Sequence, residues 1–385
     1  MHNAPGPYET TETELLGELC DHHVEVFTDL SACFQKICAH LNYTPPQFFL
    51  TPDWFRILIE FGFPRDVQLR IYVASAGDGI PSCILILLQH GQRLDSATNF
   101  YTINYGPIYL TEQPQNRLLA LHAIAKYIAE EKPFWDVVNL RFLVLESTIE
   151  RDLSTAFKTA GFWIYRYYQY DNWYATIKNK SFDDYYKKLS SRVKSTAKRK
   201  AQKLDREKNW RIILDCDGKQ ASIQAYLTIY QNSWKNKEPF PDFITALIRD
   251  NAAKGRLRLA ILYIDEIPAS AQIWLVHGGK AIIYKLAYDE QFQRFSPGTI
   301  LTMYLARYVI ENDGVEEIDY GVGNEPYKQD WMYAHRDIVG LEFYSKKTWN
   351  GRVNHWISIG HEIVKHHWHK ICVAIRRIID KGQPN

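Results

Sequence analysis

The sequence predicts an α/β protein: a mixed sheet with flanking helices, built twice in tandem. Three observations carry this. The chain has 385 residues, enough for two domains at roughly 100–200 residues each. Hydrophobic residues make up 46% and charged residues 23%, the balance of a globular protein rather than of a disordered tail or a rod. An ordered series of short matches also recurs between the two halves.

The series begins with Arg70-Ile71-Tyr72-Val73-Ala74, then Ile80-Pro81, then His90-Gly91. Its second copy is Arg258-Leu259-Ala260-Ile261-Leu262, Ile267-Pro268 and His277-Gly278. Each copy reads strand, tight turn, strand, turn, with Asp78-Gly79 and Asp265-Glu266 as the first turns. Helical stretches follow at Ala125-Lys126-Tyr127-Ile128 and Ala306-Arg307-Tyr308-Val309, and apolar strands at Val137 to Leu145 and Val315 to Tyr320. Third strands are expected at Asn99 to Leu110 and Ala281 to Tyr288. A hairpin followed by strand–helix–strand gives a mixed sheet with helices on its faces.

The organisation in order is therefore a helical lead-in at 1–40, an N-terminal unit at 41–178, a C-terminal unit at 179–352, and an amphipathic helix at 353–385. The boundary falls where the aromatic strand Phe162 to Ile177 gives way to a charged helix. One face of that strand is buried and the other is either sheet surface or a groove wall.

Net charge is +2, so no overall field drives the chain onto nucleic acid or anionic lipid. The six cysteines, Cys20, Cys33, Cys38, Cys83, Cys216 and Cys372, are too dispersed for a disulfide framework or zinc ribbon and read as reduced thiols. The acidic start lacks a secretory pattern. The most apolar run, Ile84 to Leu88, is far short of the roughly 20 residues of a spanning helix. A cytoplasmic protein without a transmembrane segment is expected.

The sharpest local feature is Arg294-Phe295-Ser296-Pro297-Gly298-Thr299, opening the helix Thr299 to Glu311. A helix N-terminus exposes unpaired N–H groups and the positive dipole end, which suits a phosphate. Arg294, Ser296 and Thr299 could add donors, and Pro297-Gly298 allows close backbone approach. A plain helix start with Ser296 as cap and Pro297 as first residue fits equally. The equivalent place in the first copy, Thr111-Glu112-Gln113-Pro114-Gln115-Asn116, has no glycine, so only the second copy looks built for a phosphate.

Ser233-Trp234-Lys235, Ala271-Gln272, Tyr284-Lys285-Leu286-Ala287-Tyr288-Asp289, Ser296-Pro297-Gly298, Asp319-Tyr320-Gly321 and Tyr327-Lys328-Gln329-Asp330-Trp331 together resemble a GNAT-superfamily acyltransferase. More narrowly they resemble the CelD-like, cellulose-biosynthesis-associated acetyltransferase group, related to the Fem-type double-GNAT proteins. The resemblance is strongest over about 180–335 and matches the tandem layout. It implies acyl-CoA as co-substrate, its pyrophosphate on the loop before the Thr299 helix. Its pantetheine arm would lie between the splayed strands Ala281–Tyr288 and Val315–Tyr320. The single glycine departs from the usual glycine-rich loop and leaves the donor open.

Acyl transfer to an amine, the acceptor expected ahead of a hydroxyl, needs the acceptor's proton removed, attack on the thioester, and protonation of the thiolate. Asp319, at a strand end, is the candidate general base or else a turn cap. Tyr327 is the candidate acid or else packs with Trp331. Lys285 could bind an acidic acceptor or polarise the thioester. Tyr284, Lys328 and Trp234 are candidates for contacting the acceptor, a small metabolite or saccharide.

Lys187 to Lys208 holds ten basic residues against two acidic ones in a helical pattern. It reads as a solvated face or as a track for a polyanion such as tRNA, the aminoacyl donor of Fem-like relatives. A Fem-like aminoacyl transferase and a non-catalytic scaffold therefore stand as alternatives. The His361-Glu362-Ile363-Val364-Lys365-His366 run misses the zinc-protease spacing by one residue, and no metal is expected. The segment Trp356 to Ile379 could pack on the body, meet a partner or rest on a membrane surface.

Overall fold

The computed structural model describes residues 22–40, 45–177, 179 and 181–360. The chain enters at β1 (His23–Phe27), α1 (Leu30–Lys36) and α2 (Pro52–Phe61). Then come β2 (Leu69–Ser75), β3 (Pro81–His90), β4 (Arg93–Ser96), β5 (Ile108–Tyr109), α3 (Pro114–Glu130), β6 (Val137–Val144), α4 (Thr148–Thr159) and β7 (Phe162–Thr176). The second half begins with α5 (Phe182–Lys188), α6 (Ser191–Glu207), β8 (Trp210–Asp215), α7 (Gln220–Gln231) and α8 (Pro241–Ala253). It continues with β9 (Leu257–Ile264), β10 (Ile267–His277), β11 (Lys280–Tyr288), α9 (Pro297–Glu311), β12 (Glu317–Asp319) and β13 (Ala334–Ser345).

The repeat seen in the sequence is structural. β2, β3 and β4 form an antiparallel meander, and so do β9, β10 and β11. The paired His-Gly turns join second to third strand in each copy, with Gly91 at φ 59° and Gly278 at φ 54°. A Cβ at Gly278 would also collide with the Pro46 carbonyl, so glycine is required there on two counts. Each third strand pairs parallel with the strand after its helix: β4 with β6, β11 with β12.

The last strand of each half crosses over. β13, from the second half, pairs with β6 of the first; β7, from the first half, pairs with β12 of the second. β7 and β13 pair with each other along twelve residue pairs, Phe162–Tyr168 and Tyr170–Tyr174 opposite Ser345 through Ala334, with Gln169 skipped at a bulge. One thirteen-stranded sheet results, in the order β1-β2-β3-β4-β6-β13-β7-β12-β11-β10-β9-β8, with β5 on β3.

Helices pack on both faces. One core runs through both halves and includes Trp54, Tyr72, Phe243, Ile273 and Phe343; a second lies between the sheet and α5, α6 and α9 and includes Trp274, Leu301 and Leu305. Each such buried side chain contributes roughly 1.5–3 kcal/mol relative to exposure. Helix starts are set by side-chain caps. The side chains of Thr51, Ser147, Ser181 and Ser190 accept N–H bonds at the starts of α2, α4, α5 and α6.

Three expectations need correction. The lead-in at 1–40 is not wholly helical, because His23–Phe27 pairs with β2 as the sheet's edge; residues 1–21 lie outside the described residues. The predicted strand Asn99 to Leu110 is largely a loop between β4 and β5. Asn99 Oδ1 accepts the Tyr101 N–H at 2.9 Å, forming a turn, and Pro107 offers no N–H to a ladder. The basic run Lys187 to Lys208 breaks at Leu189-Ser190, where Ser190 caps a new helix. Of the C-terminal helix, residues 349–360 are helical; the histidines from His361 onward lie outside the described residues.

Candidate active site

β11 and β12 are paired from Lys280↔Glu317 to Ile282↔Asp319 and no further. Just beyond, Trp274 and Ile273 of β10 sit opposite Ile283 and Lys285, leaving Tyr284 as an extra residue. This β-bulge bends β11 and turns Tyr284 and Lys285 to the same side of the sheet, the side covered by α7 and α8. The strands separate there, and a cavity of about 190 Å3 fills the gap. Its walls include Ile283, Lys285, Tyr320, Tyr327 and Lys235, with Phe100 and Tyr101 supplied by the 97–107 loop of the first half.

Charges in this cavity are organised. Lys285 Nζ donates to Glu238 Oε1 at 2.8 Å, and Tyr101 Oη donates to Glu238 Oε2 at 2.9 Å. Lys328 is buried; its Nζ binds the Val322 carbonyl, the Gly323 carbonyl at 3.3 Å and Glu325 Oε2 at 2.9 Å. Burial opposes the Glu325 charge, but Lys328 outweighs it and holds the carboxyl below its usual range. Lys235 lines the same cavity and forms no ion pair among the described residues. Burial, with the Lys285 charge beside it, pushes the Lys235 ammonium down to about 8. Burial pushes the Tyr327 phenol up to about 12.

The residues singled out from sequence divide into three groups. Lys285, Tyr284, Tyr327 and Lys328 do meet at this cavity. Tyr284 is nonetheless held in place, its hydroxyl donating to the Tyr101 carbonyl at 3.1 Å. The Lys328 ammonium pins the 322–325 loop rather than facing an acceptor. Tyr327 packs edge-on to Tyr320, not against Trp331, with ring centres 5.7 Å apart.

Asp319 caps the turn that follows it, the second of the two roles its strand-end position suggests. Its Oδ1 accepts from Asn172 Nδ2 and the Gly321 N–H, both at 2.7 Å, and its Oδ2 from Arg336 at 2.7 Å. It borders a separate cavity of about 150 Å3 with Asn172, Lys280 and Arg336. Both oxygens of this carboxylate are thus taken by donors within the protein. Here it fastens β12 to β7 and β13.

Trp234 lies against Tyr288, ring centres 4.6 Å apart, at the other end of β11. Tyr288 in turn borders Gly298, where an added Cβ would lie 3.9 Å from its ring. This is the corner formed by Arg294, Ser296, Pro297, Gly298 and Thr299. Ser296 is left-handed (φ 49°) and makes no side-chain cap. The Thr299 and Ile300 N–H groups turn back to the Ser296 carbonyl, at 3.1 and 3.4 Å, so Gly298 carries the free N–H of this turn. Gln272 Nε2 donates to the Gly298 carbonyl at 3.0 Å and to Thr302 Oγ1 at 2.7 Å, clamping α9 to β10. Arg294 is exposed and lies over the Phe295 ring at 4.5 Å.

The basic helix meets this corner. Lys200 Nζ donates to the Arg294 carbonyl, and Lys203 lies 5.4 Å from the Phe295 ring centre. Two features read apart in the sequence are thus one positively charged surface.

In the first half β4 and β6 likewise pair only from Arg93↔Val137 to Asp95↔Asn139, and beyond that point the chain bonds to its own loop. Tyr105 donates from its N–H to the Phe142 carbonyl at 2.9 Å and from its hydroxyl to the Ile86 carbonyl at 2.7 Å. Gln169 Oε1 accepts the Phe142 N–H at 2.7 Å.

Lys235 and Glu238 were missed as site residues. Ser233-Trp234-Lys235 was visible as a motif, but nothing in the sequence places the α7–α8 connection over β11.

Comparison with known proteins bears on this geometry. Residues 191–329 match the acetyltransferase (GNAT) domain family, the stretch that holds the corner and most of the cavity. No curated protein matches the sequence. FemX shares the fold at TM-score 0.52 and 12% identity, over 87% of this chain and all of that one. A conserved Bacteroides thetaiotaomicron protein of unknown function gives 0.54 and 11%, over 84% of this chain and all of that one. The C-terminal domain of a putative lysylphosphatidylglycerol synthetase from Agrobacterium fabrum gives 0.50 and 10%, over 82% and 92%. The architecture is a GNAT fold, and its likeness to these structures extends across both halves.

Proposed function

We propose that the protein transfers an acyl group from acyl-CoA to the amine of a small polar acceptor, at the cavity opened by the Tyr284 bulge. The observation that carries this reading is the continuity from the Gly298 corner, along β11, to that cavity. A phosphate-bearing donor held at one end would present its thioester at the other. The motif resemblance to CelD-like acetyltransferases favours the same donor, and the loop that bonds beyond the β4–β6 pairing in the first half favours a single donor site in the second.

In this reading neutral Lys235 takes the proton from the acceptor ammonium. The freed amine attacks the carbonyl carbon; the C–N bond forms, the C–S bond breaks, and the second proton on the nitrogen leaves to solvent. Lys285, fixed by Glu238, faces the carbonyl oxygen as charge develops on it. The thiolate then needs a proton. With a thiol near 8.5 as reference, Tyr327 near 12 is too weak an acid to give one up, so protonated Lys235 returns it and Tyr327 donates a hydrogen bond. Phe100 and Tyr101 of the first half wall the acceptor side.

Isothermal titration with CoA, and thiol release from acetyl-CoA across a panel of polar amines, tests this. Micromolar CoA binding with acceptor-dependent thiol release is expected; absence of CoA binding overturns it. A second reading, aminoacyl transfer from charged tRNA, is favoured by Lys200 and Lys203 at the donor corner. It requires tRNA affinity that falls steeply with salt and is not displaced by free CoA.

A further inference from the structure

A further cavity, of about 430 Å3, lies between α7 and α8 beside the reaction cavity. Lys235 lines both, and Glu238, on the wall of the second, pairs with Lys285 on the wall of the first. The two spaces therefore adjoin at these side chains. Their chemistry differs. The first exposes mostly polar surface, with three lysines and Glu325 among its aromatic walls; the second carries Lys235, Lys237 and Glu238 but exposes mostly apolar surface.

We propose that the α7–α8 cavity seats the acyl chain of the donor, and that the preferred acyl group is a medium chain rather than acetyl. This rests on the acyl-CoA reading above. A donor anchored at the Gly298 corner reaches the cavity along β11. The bulge turns Lys285 to the α7 side, so the group beyond the carbonyl carbon projects toward α7 and α8. The charged cavity suits a polar acceptor and repels a hydrocarbon; the apolar one does the reverse. A volume of this size is typical of pockets that take a whole small-molecule ligand, and two carbons would leave most of it empty.

The test is the set of dissociation constants for CoA, acetyl-, butyryl-, hexanoyl- and octanoyl-CoA, by titration calorimetry. The measurements use the wild type and Leu227→Trp, which fills the cavity and leaves its charged residues unsubstituted. Octanoyl-CoA is expected to bind at least about tenfold tighter than acetyl-CoA, since each buried methylene adds affinity. Leu227→Trp is expected to erase that gain and leave CoA itself unchanged. If CoA binds but affinity does not rise with chain length, the inference fails while the proposed function stands. A gain that survives Leu227→Trp places the chain elsewhere and also overturns it. If neither CoA nor any thioester binds, both fall. Should Leu227→Trp lose its cooperative melt, Ile244→Phe replaces it with the same expected results.

Discussion

Glu238 binds Lys285 through one carboxylate oxygen, at 2.8 Å, and the Tyr101 hydroxyl through the other, at 2.9 Å. One side chain of the α7–α8 connection thus holds the bulged strand and the loop from the first half together. Glu238 also favours the charged form of Lys235. Glu238→Gln should therefore drop the Lys235 pKa below about 8. The alkaline rise in kcat/KM then moves to lower pH by about half a unit to one unit. Freeing Lys285 inside the cavity costs about 1–3 kcal/mol of stability, read by urea unfolding. A pH profile that stays put would separate Lys235 from the rate-determining proton transfer.

Lys235→Met replaces a strained cation by an apolar group of similar length. Turnover should fall by 10²-fold or more, in the range of lost acid–base catalysis, while CoA affinity holds. Stability should move the opposite way. The folded pKa, about 8, lies below the reference 10.5, so between these values the unfolded chain binds more protons and wild-type stability rises with pH. The full penalty is present below about pH 8. The variant should therefore melt higher than wild type at pH 7, and the difference should shrink toward pH 10.5. A lower melting temperature at pH 7 would contradict the lowered pKa of this half-buried amine.

Gly298 has space for a side chain: a Cβ would meet Tyr288 at 3.9 Å and Ser270 at 4.0 Å, ordinary contact distances. Gly298→Ala should fold and keep most of its activity. Gly298→Asp puts a negative charge at a free helix N–H, which the dipole tolerates but a phosphate does not. Donor KM should rise at least about tenfold with little change in melting temperature. Equal KM values for the two variants would leave the phosphates without their seat.

Asp319→Asn separates positioning from catalysis. The variant keeps an acceptor for one donor but loses the charge opposite Arg336, at a cost of about 2–4 kcal/mol. The midpoint of the pH–rate profile should stay at the Lys235 value. A lost alkaline limb would return Asp319 to the role of base. The position of a carboxylate at a strand end is legible in sequence, but its partners, Asn172 on β7 and Arg336 on β13, arrive through crossed strands. The repeat, the hairpins and the helix-opening corner were legible because they rest on turn chemistry and periodicity within a few residues. The strand crossing, the bulge at Tyr284 and the placement of Lys235 depend on long-range register, which local pattern does not encode.

The crossing makes the halves interdependent. Without β13, strand β6 of the first half has a bare edge, and β7 has neither of its sheet neighbours. An unpaired edge of this kind invites aggregation. Fragments 1–178 and 179–385 should each be insoluble or oligomeric when produced alone. Produced together they should co-purify as a one-to-one complex, because β7 and β13 then pair along their whole length. CoA binding should return in that complex, since the 97–107 loop again reaches Glu238 through Tyr101. A soluble, monomeric second-half fragment with wild-type donor affinity would show that the crossing adds nothing to the site.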